Sequence, residues 1–151
     1  GGLGIALRCD LRIAEETAIF AVLSRRWGVP MSDGTTVRLP RLIGAGRALD
    51  MLLTARKVTG AEALAMGLAD RLVPVGQALS AALELAHDIS AFPQIAMRSD
   101  RMSTIRQWNL SEMDAIALET ELSVEARRKE AQAGASRFAS GSGRHGGMEK
   151  N

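Results

Sequence analysis

Apolar positions along this chain follow helical spacing over most of its length and strand-like alternation in only a few short places. Ile5 to Cys9 has helical composition and gives way to a strand candidate at Leu11 to Ala14; Glu15-Glu16-Thr17 reads as a turn into a second short strand, Ala18 to Phe20. Residues 24 to 36 are loop-like. Thr35 to Ile43 forms a short amphipathic segment closed by Gly44, and Arg47 to Thr54 places Ala48, Leu49, Leu52 and Leu53 at helical spacing. Thr59 followed by Glu62 has the order of a capping box, Gly67 stands where so short a helix would end, and Leu68 to Val73 is a further strand candidate. Gln77 to Ala91 is amphipathic, Pro93 suits a first helical turn, and Ser111 with Asp114 opens a charged helix expected to run to about Gln132. From Gly134 the composition turns to Gly, Ser, Arg and His, which reads as a tail. A pair of short strands cannot bury both faces, so this pattern implies partner strands from elsewhere in the chain or beyond it.

Composition narrows the function classes. The 151 residues are 46% hydrophobic, enough for one modest core. Aromatic residues make up only 3%, tyrosine is absent, and Phe20, Trp27, Phe92, Trp108 and Phe138 are too scattered for a base-stacking platform. The net charge of +2 comes from interspersed cations and acids rather than a basic stripe, so no nucleic-acid partner is expected. The single cysteine, Cys9, allows no internal disulfide and is expected to be a small buried apolar residue. His87 and His145 have no companions at ligand spacing, so no metal site is expected. No apolar run approaches the roughly 20 residues of a membrane span. The expected setting is the cytoplasm, away from membranes.

The chain opens on GGLGIALRCDLRIAEETAIF without a polar lead-in, and this stretch resembles the G-G-x-x-x-A-x-x-C-D-x-R-I-A block, followed by phenylalanine, of the crotonase superfamily of enoyl-CoA hydratases and isomerases. GTTVRLPRLIGAGRALDMLLTARKVTGAEALAMGLADRLVP is similar to that family's G-G-T-x-R-L-P-R-x-x-G, T-G-R and A-x-E-A-x-x-x-G-L-V blocks, in the same order. The resemblance implies an α/β, crotonase-like (ClpP/crotonase) spiral ββα-type fold, here a C-terminal portion with short strands followed by C-terminal helices. It divides the chain into the end of a crotonase-like core (1–76), a helical region for oligomerisation and pocket cover (77–133) and a flexible tail (134–151). Gly1 then corresponds to the middle of a complete subunit.

By the same resemblance the chemistry is thioester activation, in which two backbone N–H groups stabilise an enolate. Gly1 corresponds to the second donor, its small size letting an acyl thioester approach the backbone, with Gly2 beside it a substrate-contact candidate; the other reading of the pair is close helix packing. Family hydratases carry one glutamate three residues after the oxyanion glycine and another four residues after the phenylalanine. Those positions hold Gly4 and Ser24, neither of which can move a proton, so efficient hydration of simple enoyl-CoAs is not expected. Asp33 lies one residue past the place where family isomerases and dehalogenases put a catalytic aspartate. Two readings of it stand side by side: an acid/base group, or an Asx-type turn capping the next segment. Ser24, Trp27 and Arg98 are candidate substrate-contact residues, Trp27 as a core or pocket-wall side chain and Arg98, with Arg101, as a basic approach to CoA. Arg25 and Arg26 are expected to pair with acids or solvent, Arg38 to be structural, and Glu125 to Glu130 to be a solvated helix face.

Three functions remain open: an acyl-CoA enzyme with Asp33 handling the proton, a non-catalytic acyl-CoA binder or oligomer subunit, and a fragment inactive by itself. No separate cofactor is implied, because coenzyme A is part of the substrate thioester. The family implies a homotrimer or hexamer of the full-length protein, with Ile95, Met97, Met102 and Ile105 providing apolar packing surface.

Overall fold

The structure is a computed structural model that describes residues 1–141, which fall into two compact units, Gly1–Leu85 and a second beginning at Ala86. In the first unit the order is α1 (Gly2–Ala6), β1 (Ile13–Glu15), β2 (Ile19–Phe20), a 3-10 turn (Leu23–Trp27), α2 (Thr35–Ile43), α3 (Ala45–Thr54), β3 (Val58–Thr59), α4 (Gly60–Ala65) and β4 (Arg71–Val73), with α5 (Ala78–Ser90) spanning the division. The strands form two small pairs. β1 runs parallel to β4 with Ala14 opposite Leu72, and β2 runs antiparallel to β3 with Phe20 opposite Val58.

The register of the parallel pair is set by one side chain. Arg12 is 9% exposed; its Nε donates to the Leu68 carbonyl at 2.7 Å, Nη1 donates to the Cys9 carbonyl at 2.7 Å, and Nη2 meets Asp70 Oδ2 at 2.9 Å. The backbones join the same knot, because Arg12 N donates to Asp70 Oδ2 at 2.7 Å and Asp70 N donates to the Arg12 carbonyl at 2.8 Å. This consumes the start of the expected strand 11–14, so β1 begins at Ile13 and extends to Glu15. Ala18 is likewise lost from the second strand, since its N–H closes a turn onto the Glu15 carbonyl at 2.9 Å. The expected strand 68–73 is trimmed to Arg71–Val73 because the amides of Leu68 and Ala69 both donate to the Ala63 carbonyl, finishing α4 across Gly67 at φ 79°.

The core of this unit gathers Leu39 and Ile43 from α2, Ala48 and Met51 from α3, Val58 from β3 and Leu68. Leu39 and Met51 are wholly buried, each worth about 1.5–3 kcal/mol over an exposed side chain. α3 turns Ala48, Met51 and Leu52 inward and leaves Leu49 and Leu53 largely exposed. Gly60 admits no side chain, since a Cβ there would strike the Glu15 carbonyl and the Leu72 methyl. Thr59 caps α4 through Glu62 N at 3.3 Å as expected, but the Glu62 carboxylate turns outward to Arg56 at 2.7 Å instead of completing the box. Arg56 also pairs with Asp50, so it ties α3 to α4.

In the second unit α6 (Gln94–Arg106) packs on α7 (Glu112–Ala126), which passes through a π turn (Arg127–Ala131) into α8 (Gln132–Ala139). Ser111 caps α7 by accepting from Asp114 N at 3.2 Å. The segment from Glu125 to Glu130 is not a uniformly solvated face: Glu125 and Lys129 pair in solvent, whereas the half-buried Glu130 accepts from Ile95 N at 3.1 Å and Ala96 N at 2.8 Å. Pro93, at the N-cap of α6, makes no side-chain cap bond, so Glu130 supplies the missing acceptor. α8 continues through Ala139 where the composition reads as tail, and His145 with the remaining tail residues lies outside the described residues.

Two stability outcomes are expected. Arg12→Ala strips one buried and one part-buried carbonyl and one carboxylate of their donor and lowers the urea-unfolding free energy by about 2–4 kcal/mol, toward the low end because the Asp70 side chain is 33% exposed. Glu130→Ala uncaps α6 and costs about 1 kcal/mol in the same measurement, whereas Glu125→Ala costs only a few tenths.

Candidate functional site

The candidate site is built where α1 meets the loop leading into α2. Gly1 is the N-cap of α1, and its carbonyl accepts from Ile5 N at 3.1 Å. A Cβ built on Gly1 or Gly2 would meet nothing within 4 Å, so close helix packing does not explain these glycines among the described residues. Both are exposed among the described residues.

One turn into the helix the situation reverses. Gly4 is buried, and a Cβ on it would overlap the Asp33 carboxylate, with Oδ2 the nearest atom. The other carboxylate oxygen, Oδ1, accepts from Thr35 N at 3.0 Å, forming an Asx-type turn that leads through Gly34, at φ 89°, into α2. The two readings of Asp33 are therefore not exclusive, since one oxygen holds the turn and the other stands over α1. Thr35 is fully buried, with its hydroxyl beside the Asp33 carboxylate. That hydroxyl beside the carboxylate, and then the Thr35 N–H, hold the Asp33 carboxyl below its ordinary value of 3.8. Asp33 is thus a carboxylate near neutral pH.

The other sequence candidates are dispersed. Ser24 lies in the 3-10 turn, where its hydroxyl donates to Met31 Sδ at 3.2 Å. Trp27, expected in the core or a pocket wall, is 83% exposed, because the 3-10 turn ends there and Gly28, at φ 69°, reverses the chain. Arg26 is structural, donating to the carbonyl of Ala55 at 3.0 Å and so closing the end of α3. Arg98 is exposed on α6 and belongs to the second unit. Cys9, expected to be buried, is exposed because α1 ends at Ala6 and the chain turns there, leaving the thiol 3.8 Å from the Ile5 carbonyl. Among the described residues there is no group of three side chains able to hold a metal ion, and no helix is long and apolar enough to cross a membrane.

Sequence reasoning identified Gly4 and Asp33 separately but missed that they share one space, and it gave Thr35 no role. The order Asp-Gly-Thr was the available signal for the Thr35 amide, since an Asx turn bonds its own backbone two residues on. No local signal pointed to the contact with Gly4.

Comparison with known proteins bears on the same residues. Residues 1–142 match the enoyl-CoA hydratase/isomerase family model. The chain is 39% identical over 124 residues to enoyl-CoA hydratase EchA19 of Mycobacterium tuberculosis, covering 82% of this chain and 47% of that protein. It is 52% identical over 75 residues to the mitochondrial methylglutaconyl-CoA hydratase 1 of Pyricularia oryzae, covering 50% of this chain and 22% of that one. The crystal structure of an enoyl-CoA hydratase from Bacillus anthracis superimposes with a TM-score of 0.86 at 29% identity, covering 92% of this chain and 54% of that chain. The chain thus spans about half the length, or less, of these proteins, and its helices and short strands are part of a crotonase-type α/β fold. Matched by the family model along nearly its whole length, the chain belongs to the enoyl-CoA hydratase/isomerase family of the crotonase superfamily.

Proposed function

We propose that the protein carrying this chain is an acyl-CoA enzyme that stabilises a thioester enolate, with Asp33 as its base. The observation that carries the reading is the ionised Asp33 carboxylate standing over Gly4, one turn from the exposed Gly1 and Gly2. In this mechanism the Gly1 N–H donates to the thioester carbonyl oxygen, and Gly2 leaves room for the acyl group. Asp33 takes the α-proton, and the electron pair of the broken C–H bond moves onto the thioester oxygen as enolate. A donor fixed before charge develops is worth on the order of 100-fold or more in rate. With Gly4 and Ser24 at the positions of the usual glutamates, water addition has no second carboxylate, so proton transfer within the acyl group is the favoured reaction.

The absence of both glutamates also supports a second reading, a protein that binds acyl-CoA without converting it. Trp27 and Ser24 on the 3-10 turn, and Arg98 on α6, stay proposed substrate contacts in either case. Assembly as a trimer or hexamer of full-length subunits belongs to the same proposal, supported by exposed apolar side chains such as Ile105, Met113 and Ile116.

Asp33→Asn keeps an Oδ1 acceptor for Thr35 N and removes the base. In the full-length protein it is expected to lower turnover of enoyl-, dienoyl- or β-ketoacyl-CoA substrates by roughly 10²–10⁴-fold while shifting Tm by no more than about 3 °C. Retained turnover would remove Asp33 from the mechanism, and no turnover by the wild type on the whole panel, with CoA-ester binding intact, would favour the binder. The pH dependence has a definite sign. Because the folded-state value of Asp33 is depressed, its contribution to stability is whole above 3.8 and is lost as pH falls through the lower folded value. Urea midpoints of wild type and Asp33→Asn should therefore differ slightly at neutral pH and converge below that value, while Thr35→Val brings the Asp33 titration, followed by carboxyl-carbon NMR, back toward 3.8.

A further inference from the structure

We infer that Gly4 is a positioning residue, whose missing side chain opens the one space in which the Asp33 carboxylate can stand beside α1, so that positions 4 and 33 exclude each other. This rests on the reading of Asp33 as the base and adds a requirement at a second residue. Gly4 is not needed for backbone conformation: it sits inside α1, where glycine costs about 1 kcal/mol relative to alanine, and it is not among the glycines at positive φ. The three heavy atoms nearest to a built Cβ all belong to Asp33: Oδ2, Cγ and Cβ.

Nor can Asp33 simply step aside. Its Oδ1 is tied to Thr35 N at 3.0 Å, Thr35 is fully buried as the first residue of α2, and Gly34 before it already occupies the left-handed region. A rotation large enough to clear a Cβ at position 4 would break the Asx turn that starts α2. The carboxylate that other arrangements would hang from α1 is thus delivered from the opposite side of the same space, and the glycine is what lets it in. The ionised state of Asp33 fits this seat, because the turn that fixes Oδ2 over Gly4 also supplies the Thr35 groups that favour the charged form.

The test is a double-mutant cycle at positions 4 and 33 in the full-length protein, read by Tm and by NMR titration of the Asp33 carboxyl carbon. Gly4→Ala is expected to lower Tm by roughly 3–10 °C and to move the Asp33 midpoint upward toward 3.8. In the Asp33→Ala background the same substitution is expected to lower Tm far less, because the carboxylate is gone and only the Cβ of residue 33, 3.0 Å from the built Cβ, has to give way. Should Gly4→Ala fail to fold, a folded Gly4→Ala/Asp33→Ala double variant carries the same meaning. An equal Tm loss in both backgrounds, a double variant that does not fold, or an Asp33 midpoint unmoved by Gly4→Ala would each overturn the inference. Both readouts are taken without substrate, so they separate failure of this seat from failure of Asp33 as base, which turnover of Asp33→Asn reports by itself.

Discussion

The Arg12–Asp70 clamp is the constraint on which the rest of the first unit depends. A guanidinium is always charged and presents donors in a fixed fork, so burying it commits the surrounding backbone to supply acceptors in matching places. Here the acceptors are the Leu68 and Cys9 carbonyls and the Asp70 carboxylate, drawn from the turn after α1 and from the exit of α4. Two chain segments far apart in sequence are thereby brought into a single register, from which β1 and β4 leave side by side. Three-residue strands contribute too few ladder bonds to select that register alone, and the buried arginine selects it for them.

The same segment fixes the head of the candidate site. α1 ends just before the Cys9 carbonyl that Arg12 holds, so the clamp limits the movement of a helix barely longer than one turn. At the other end of that helix Gly1 and Gly2 are exposed, and Gly4 leaves room for a side chain from another element. Asp33 answers that opening with a division of labour: Oδ1 builds the Asx turn that begins α2, and Oδ2 faces α1. A residue that starts a helix and bears a reactive oxygen is held more firmly than one that does only the second, because displacing it costs part of the fold.

Elements with local signals were legible in the sequence. The amphipathic stretch from Thr35 to Ile43 became a helix with those bounds, and Thr59 and Ser111 cap the helices they precede, since a cap is decided within four residues. What was not legible depends on a partner elsewhere in the chain. Val58–Thr59 is a strand only because β2 lies beside it, and β1 is displaced only because Arg12 is spent on Asp70. Glu130, one more charge in an acidic and basic run, is singled out by the uncapped start of α6. The family resemblance marked Gly4 as a lost carboxylate and Asp33 as an ambiguous one, but only their shared space connects the loss at one position with the residue at the other.

That connection bears on the direction of the chemistry. A carboxylate held below its ordinary range is a weaker base than one raised by burial, so its value lies in placement and charge rather than in proton affinity. Such a group works best where the carbon acid has been acidified by another interaction, and a thioester whose carbonyl oxygen meets fixed backbone donors is that kind of acid. In the proposed mechanism the seat of Asp33 over Gly4 and a backbone donor at Gly1 would therefore be coupled requirements. A strong base would function with a poor oxyanion site, whereas a weak, well-seated one would need the enolate to be stabilised at the head of the same helix.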